Sequence, residues 1–312
     1  MTNLAPNAPS FPSFPPFLKT LLTLMGMGVL GFPLAIAGWL TFQRPPQTNL
    51  EQTLFKGIHY QRQFRSQPRP VMLHIVTVDL TAPGLKVIVT PGTPSAEPKQ
   101  KIRARTTSEF LTEFKLQLAV NASFFHHFEE NTPWSYYPYR GDWVGTLGHT
   151  ISNGVAYSAP LPEWPVFCIV ANQRARIFAA NQCPTGTLHG VAGNVILVAK
   201  GKPVIGSGAS TDSDVAYSRV VVAVDKTGEK LWLIVVDDKQ WRYSEGMLIS
   251  EVTKVAIALG ADSALNLDGG GSTTLVMGTS SGSKRLNSPA HTKIPMRERP
   301  VANHLGFYAL PQ

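Results

Sequence analysis

The segment ALNLDGGGSTTLVM, residues 264–277, sets one acid, three consecutive glycines and three hydroxyl residues between two apolar runs. Alternation along a strand sends Asn266 and Asp268 to one face and Leu265 and Leu267 to the other. Gly269, Gly270 and Gly271 leave the backbone free to turn successive N–H groups inward as an anion-binding nest. Ser272 and Thr273 add hydroxyls beyond it. A carboxylate, an amide, free backbone and hydroxyls suit a phosphate held beside a sugar, although a hairpin turn capped by an acid has the same composition. The loop lacks the Gly-Lys-Ser/Thr of a Walker loop, and a strand follows it where a dinucleotide-binding fingerprint needs a helix. No cofactor motif is present.

Other residues can complete this chemistry. Arg219 opens an apolar strand, and its guanidinium fork matches phosphate bidentately; the alternative is a surface strand residue. Arg299 is the next cation in line. Asn121 follows the strand LAV and is placed to orient sugar hydroxyls; Asn-Ala-Ser also spells a glycosylation acceptor, which the adjoining Phe124 and Phe125 argue against. Asp237 and Asp238 end the run LWLIVV, where an acid can face a site or simply meet water. Glu251 lies off the apolar face of its helix and can do either too. His126, His127, Glu129 and Glu130 stand close together but lack the helical His-Glu-x-x-His spacing, so the segment reads as a rim and no metal is expected.

Several segments together resemble the phosphodiester glycosidase family. LGADSALNLDGGGSTTLVM is similar to its signature. TTSEFL followed by AVNASFF is similar to its helix and Asn-bearing strand, and SRVVVAVD, VVDD, EGMLISEVTKVAIALGA and RERPVANHLGFY to its later segments. The resemblance runs from residue 57 to 308. Ser123 stands where a glycine is commoner, and Val220 and Ala223 where Thr and Gly are usual, which puts a substrate hydroxyl contact in doubt. The resemblance implies a hydrolase acting on the glycosyl–phosphate bond of sugar-1-phosphodiesters. A phosphomonoester leaves readily, so such chemistry needs one carboxylate and a clamp on phosphate charge more than the usual carboxylate pair. Asp268 is the carboxylate, with Arg219, Asp237 and Glu251 as further catalytic candidates. Asn121, Asn266, Gly269, Gly270, Gly271, Ser272, Thr273 and Arg299 are the candidate substrate contacts. A carbohydrate- or envelope-polymer-binding protein on the same scaffold, or an exopolysaccharide-processing transferase, are the alternatives.

These residues need a scaffold. Runs rich in Val, Ile and Thr at 71–80 and 85–92, and hairpin patterns at 191–205 and 219–238, read as strands. Two helices stand out. One begins near Thr107 as a cap, and the other spans 247–259 with Gly260 at its C-terminal end. The fold expected is α+β, a β-rich single domain with few helices over 56–312, behind a Pro-rich tail (1–17), a membrane segment (18–42) and a linker (43–55).

Residues 20–42 carry no charge, enough at 1.5 Å per residue to cross a bilayer. They read as an uncut signal anchor or as a signal peptide with Ala35-Ile36-Ala37 as its cleavage site. Both readings put the domain outside the cytoplasm, anchored or secreted. There, Cys168 and Cys183 can form one disulfide; two separate buried thiols are the alternative. The 312 residues carry a net charge of +8 without the aromatic interleaving or zinc spacing of nucleic-acid modules, so the partners expected are an anionic glycan and a membrane.

Overall fold

In a computed structural model, residues 15–17, 20, 25, 35–36, 38–93, 102–204, 215–237 and 239–312 are described. The chain divides into two units, Met1–Gln43 and Arg44–Gln312. In the first, most of the 18–42 segment lies outside the described residues, and no described helix is long and apolar enough to cross a membrane.

The second unit is β-rich with few helices. Its largest sheet has eight antiparallel strands, and the next a five-stranded order that includes Leu118–Asn121, Leu275–Thr279 and His304–Tyr308. A second five-stranded sheet contains Val166–Ile169 and His189–Ala192. Alternation divides the side chains of the large sheet. Val220, Val222, Leu265 and Leu267 meet Leu118, Val120, Leu275 and Phe307 in the main core. Val221, Ala223 and Ala264 face the opposite way, against Val252, Val255 and Ala256 of the helix Ile249–Ala258. The helix Thr107–Glu113 covers the outer face of the five-stranded sheet through Phe110 and Leu111. The order of layers is helix, sheet, sheet, helix.

Local expectations hold with shifts of a residue or two. The first helix is capped by Thr106, not Thr107, in a reciprocal capping box with Glu109. The domain also begins earlier than its composition suggests. Leu50–Phe55, read as linker, is an edge strand paired antiparallel with Ile58–Arg65, and Leu54 and Phe55 pack on the main core. A polar edge strand looks like a tether because one face meets water.

Cys168 and Cys183 are joined, with Cα atoms 5.9 Å apart. Because the bridge closes a short loop, the Cys168→Ala/Cys183→Ala variant should lose about 2–3 kcal/mol of stability by chemical denaturation and keep its fold.

Candidate active site

The glycine segment joins the two main sheets. Ser263–Leu267 belongs to the eight-stranded sheet and Leu275–Thr279 to the five-stranded one, so the turn between them is a crossover, not a hairpin. Between them lies one turn of 3-10 helix, Gly270–Ser272.

Side chains from distant segments hold both ends. The Asn121 amide donates to the Asp268 carbonyl at 2.7 Å and accepts the Thr274 N–H at 3.0 Å. Asn287 accepts the Leu275 N–H at 2.7 Å and donates to the Thr273 carbonyl at 3.0 Å. Its Nδ2 also donates to Asp237 at 2.8 Å. Both asparagines are buried. Asn121 therefore clamps the loop; its buried amide is not turned to a sugar and is closed to glycosylation.

The three glycines answer to three neighbours within the protein. A Cβ on Gly269 would lie 2.4 Å from the Ser218 carbonyl oxygen. On Gly270, whose φ is +60°, it would meet the Tyr217 hydroxyl at 3.0 Å. On Gly271 it would collide with the Arg299 guanidinium at 2.4 Å. Part of the nest expected from the glycine run is used within the protein. Gly270 N–H donates to Ser218, Ser272 N–H to Gly269 and Thr273 N–H to Gly270. The Gly269 N–H favours the charged form of the Asp268 carboxyl.

Asp268 is partly exposed, as are Gly269 and Gly270, whereas 271–274 are buried. Burial pushes its carboxyl up to about 6, against pulls from the Ser272 hydroxyl, Arg299 and the Gly269 N–H. Arg299, itself buried, donates to Ser272 Oγ at 3.1 Å and to His291 Nδ1 at 3.3 Å, and pairs with Glu130. Its guanidinium lies 4.4 Å from the centre of the Phe128 ring. Burial, with Arg299 and Arg297 nearby, drives His291 down to about 3, so it is neutral and can accept from Arg299.

Several expected site residues stand elsewhere. Arg219 is turned to the carbonyls of Met247 and Val215, at 3.5 and 3.2 Å, with Tyr217 beside its guanidinium. Asp237 is fully buried, with His74 at 3.2 Å and donors from Asn287 and Ser288 at 2.8 and 3.0 Å, so it braces the loop from inside. Asp238 lies outside the described residues. Glu251 caps its own helix through the Leu248 N–H and pairs with Arg69. Asn266 reaches Asn194 at 2.8 Å, and its buried Oδ1 has no partner among the described residues. Thr273 is likewise buried with an unpartnered hydroxyl.

Asn287 and His291, which fall in a polar stretch before the last strand, were not among the residues expected from the sequence, and Glu130 was expected only as rim. The described residues hold no group of three ligands suited to a metal.

The family model for phosphodiester glycosidases matches residues 114–308. This chain belongs to the phosphodiester glycosidase family. No curated protein matches the sequence. Among solved structures, a hypothetical protein from Synechocystis is similar, with 17% identity and a TM-score of 0.59; the match covers 85% of this chain and 64%, just under two thirds, of that one. The catalytic domain of zebrafish N-acetylglucosamine-1-phosphodiester alpha-N-acetylglucosaminidase, auto-inhibited by its pro-peptide, is similar at 20% identity and a TM-score of 0.57. That match covers 86% of this chain and 92% of the zebrafish domain. At these identities the likeness is one of fold.

Two predictions concern this phosphodiester glycosidase domain. The obstacle at Gly269 is backbone, so Gly269→Ala should cost about 1–3 kcal/mol in denaturation. A fully stable variant would mean that the loop does not sit on Ser218. The second concerns the Asp268 proton, which the folded protein holds to higher pH than the unfolded chain, where it leaves near 3.8. Stability therefore falls as pH rises between those two values and levels off above about 6. Asp268→Asn should raise the Tm at pH 7.5, with the gain gone by about pH 4.

Proposed function

We propose that the protein is a glycosidase that hydrolyses the bond between an anomeric carbon and phosphate in sugar-1-phosphodiesters. The observation that carries this reading is Asp268. It is partly open to solvent, its pKa is raised to about 6 by burial, and it stands at the head of the loop in a phosphodiester glycosidase domain.

A carboxyl with that value is ionised at neutral pH yet basic enough to take a proton. Water attacks the anomeric carbon while the carbon–oxygen bond to phosphate breaks. Asp268 accepts the proton of that water, and its negative charge lies against the positive charge that develops on the sugar. The products are free sugar and a phosphomonoester, which leaves without a proton from the enzyme. Ser272, the Gly269 N–H and Arg299 keep the carboxylate aimed; Arg299 stays in place because Glu130 balances its charge. N-acetylglucosamine is the first sugar to try, on the name of the zebrafish relative.

We place the reaction outside the cytoplasm. The disulfide and the uncharged 20–42 stretch support export, by anchor or by cleaved signal.

The test is release of free sugar from a panel of sugar-1-phosphodiesters. The wild type should release it, with kcat/KM falling as pH drops through about 6. Asp268→Asn should lower kcat by roughly two or more orders of magnitude with KM little changed. A wild type that releases no sugar, or an Asp268→Asn variant as active as wild type, rejects the proposal.

A further inference from the structure

A phosphodiester needs a cation, and neither arginine suggested by the sequence offers an open one. Arg219 and Arg299 are 8% and 7% exposed. The first donates to two backbone carbonyls, and the second to Ser272, His291 and Glu130. Using either for a ligand would mean breaking buried hydrogen bonds or stripping Glu130 of its partner.

The accessible edge of the loop lies on the other side. Asp268, Gly269 and Gly270 are its partly exposed residues, and over Gly270 sits the hydroxyl of Tyr217, itself only partly buried. Lys239 is exposed, and its ammonium donates to that hydroxyl at 2.8 Å. The same nitrogen stands 4.4 Å from the centre of the Tyr217 ring, so the ring face holds the charge as well as the hydroxyl does. An ammonium has three donors. One goes to Tyr217, and no described carboxylate forms an ion pair with Lys239. Tyr217 also ties this seat to the loop through its neighbour, because Ser218 exchanges hydrogen bonds with Gly270 at 2.9 and 3.3 Å.

We propose that Lys239, seated on Tyr217 over Gly270, is the cation that receives the phosphate of the substrate. The inference rests on the sugar-phosphodiester reading and adds a direction to it. The phosphate lies toward Tyr217 and Lys239, and the anomeric carbon lies over Asp268.

The test measures phosphate binding apart from turnover. Inorganic phosphate is titrated into the full chain by calorimetry at low salt, and is used separately as a competitive inhibitor. Lys239→Gln should weaken phosphate binding about tenfold or more and raise KM for a sugar-1-phosphodiester more than it lowers kcat. Lys239→Arg should recover most of the loss. Lys226→Gln is the control: it removes the same charge from an exposed turn just past the far end of the strand Arg219–Val224, and should change nothing. The inference is overturned if the wild type binds no phosphate, or if Lys239→Gln binds it like wild type. Phosphate binding that depends on Lys239 in a protein that cleaves no phosphodiester would reject the activity and keep the site. Cleavage of the phosphodiester with both KM and phosphate binding untouched by Lys239→Gln would do the reverse.

Discussion

The chain must pass from one sheet to the other at residues 268–274, and the two sheets enclose the main core between them. A crossover at the edge of such a core cannot bulge outward without uncovering it, so the backbone runs tight against Ser218, Tyr217 and Arg299. Three side chains are missing there because three other groups occupy their places. The asparagines follow from the same demand. A crossover turn leaves carbonyls and N–H groups that belong to neither sheet, and each buried one needs a partner. Asn121 and Asn287 supply a donor and an acceptor apiece, Asn121 spanning the turn from Asp268 to Thr274 and Asn287 holding its far end at Thr273 and Leu275.

The loop's polar surroundings then sort into an inner and an outer set. Inside, Tyr60, His74, Asp237 and Asn287 form a continuous hydrogen-bonded chain, all fully buried, that ends on the loop backbone. Burying a carboxylate costs several kcal/mol unless its oxygens are satisfied. Here a histidine, an amide and a backbone N–H satisfy them, and the return is a loop that cannot shift. Outside, Asp268 is only partly exposed, and burial outweighs the pull of Ser272, Arg299 and the Gly269 N–H, which is why its proton is kept to about pH 6. The acid that is fully partnered braces the structure; the acid that is incompletely partnered keeps a raised pKa at the partly exposed edge of the loop.

Arg299 shows how charge is kept in balance between these sets. It helps hold Asp268 and is in turn held by Glu130, across a hairpin more than 160 residues earlier in the chain. Phe128 lies over the guanidinium and limits its access to water. An arginine so placed lowers the energy of the Asp268 carboxylate without competing for it as a fixed ion pair.

Much of this was legible from residue order, and the division has a physical cause. Strands, helices and turns follow from alternation, 3.6-residue spacing and the special dihedrals of glycine, all of which act within a few residues. Thus the helix at Ile249–Ala258, the strands around the signature, the β-rich class and the family were readable, and Asp268 stood out as the acid of the loop. Two cysteines left a single possible disulfide, though not its certainty. What the glycines are for was not readable, because what meets a glycine is decided by how two sheets stack. The same holds for Asn287, whose place in a polar stretch hid a buried side chain, and for Asp237, which a strand-end pattern cannot tell from a surface acid. Arg219 and Lys239 differ from one another in neither type of charge nor distance along the chain in any way that marks one as buried and the other as open. Only the packing separates them: Arg219 turns inward to the Met247 and Val215 carbonyls, and Lys239 lies exposed on Tyr217.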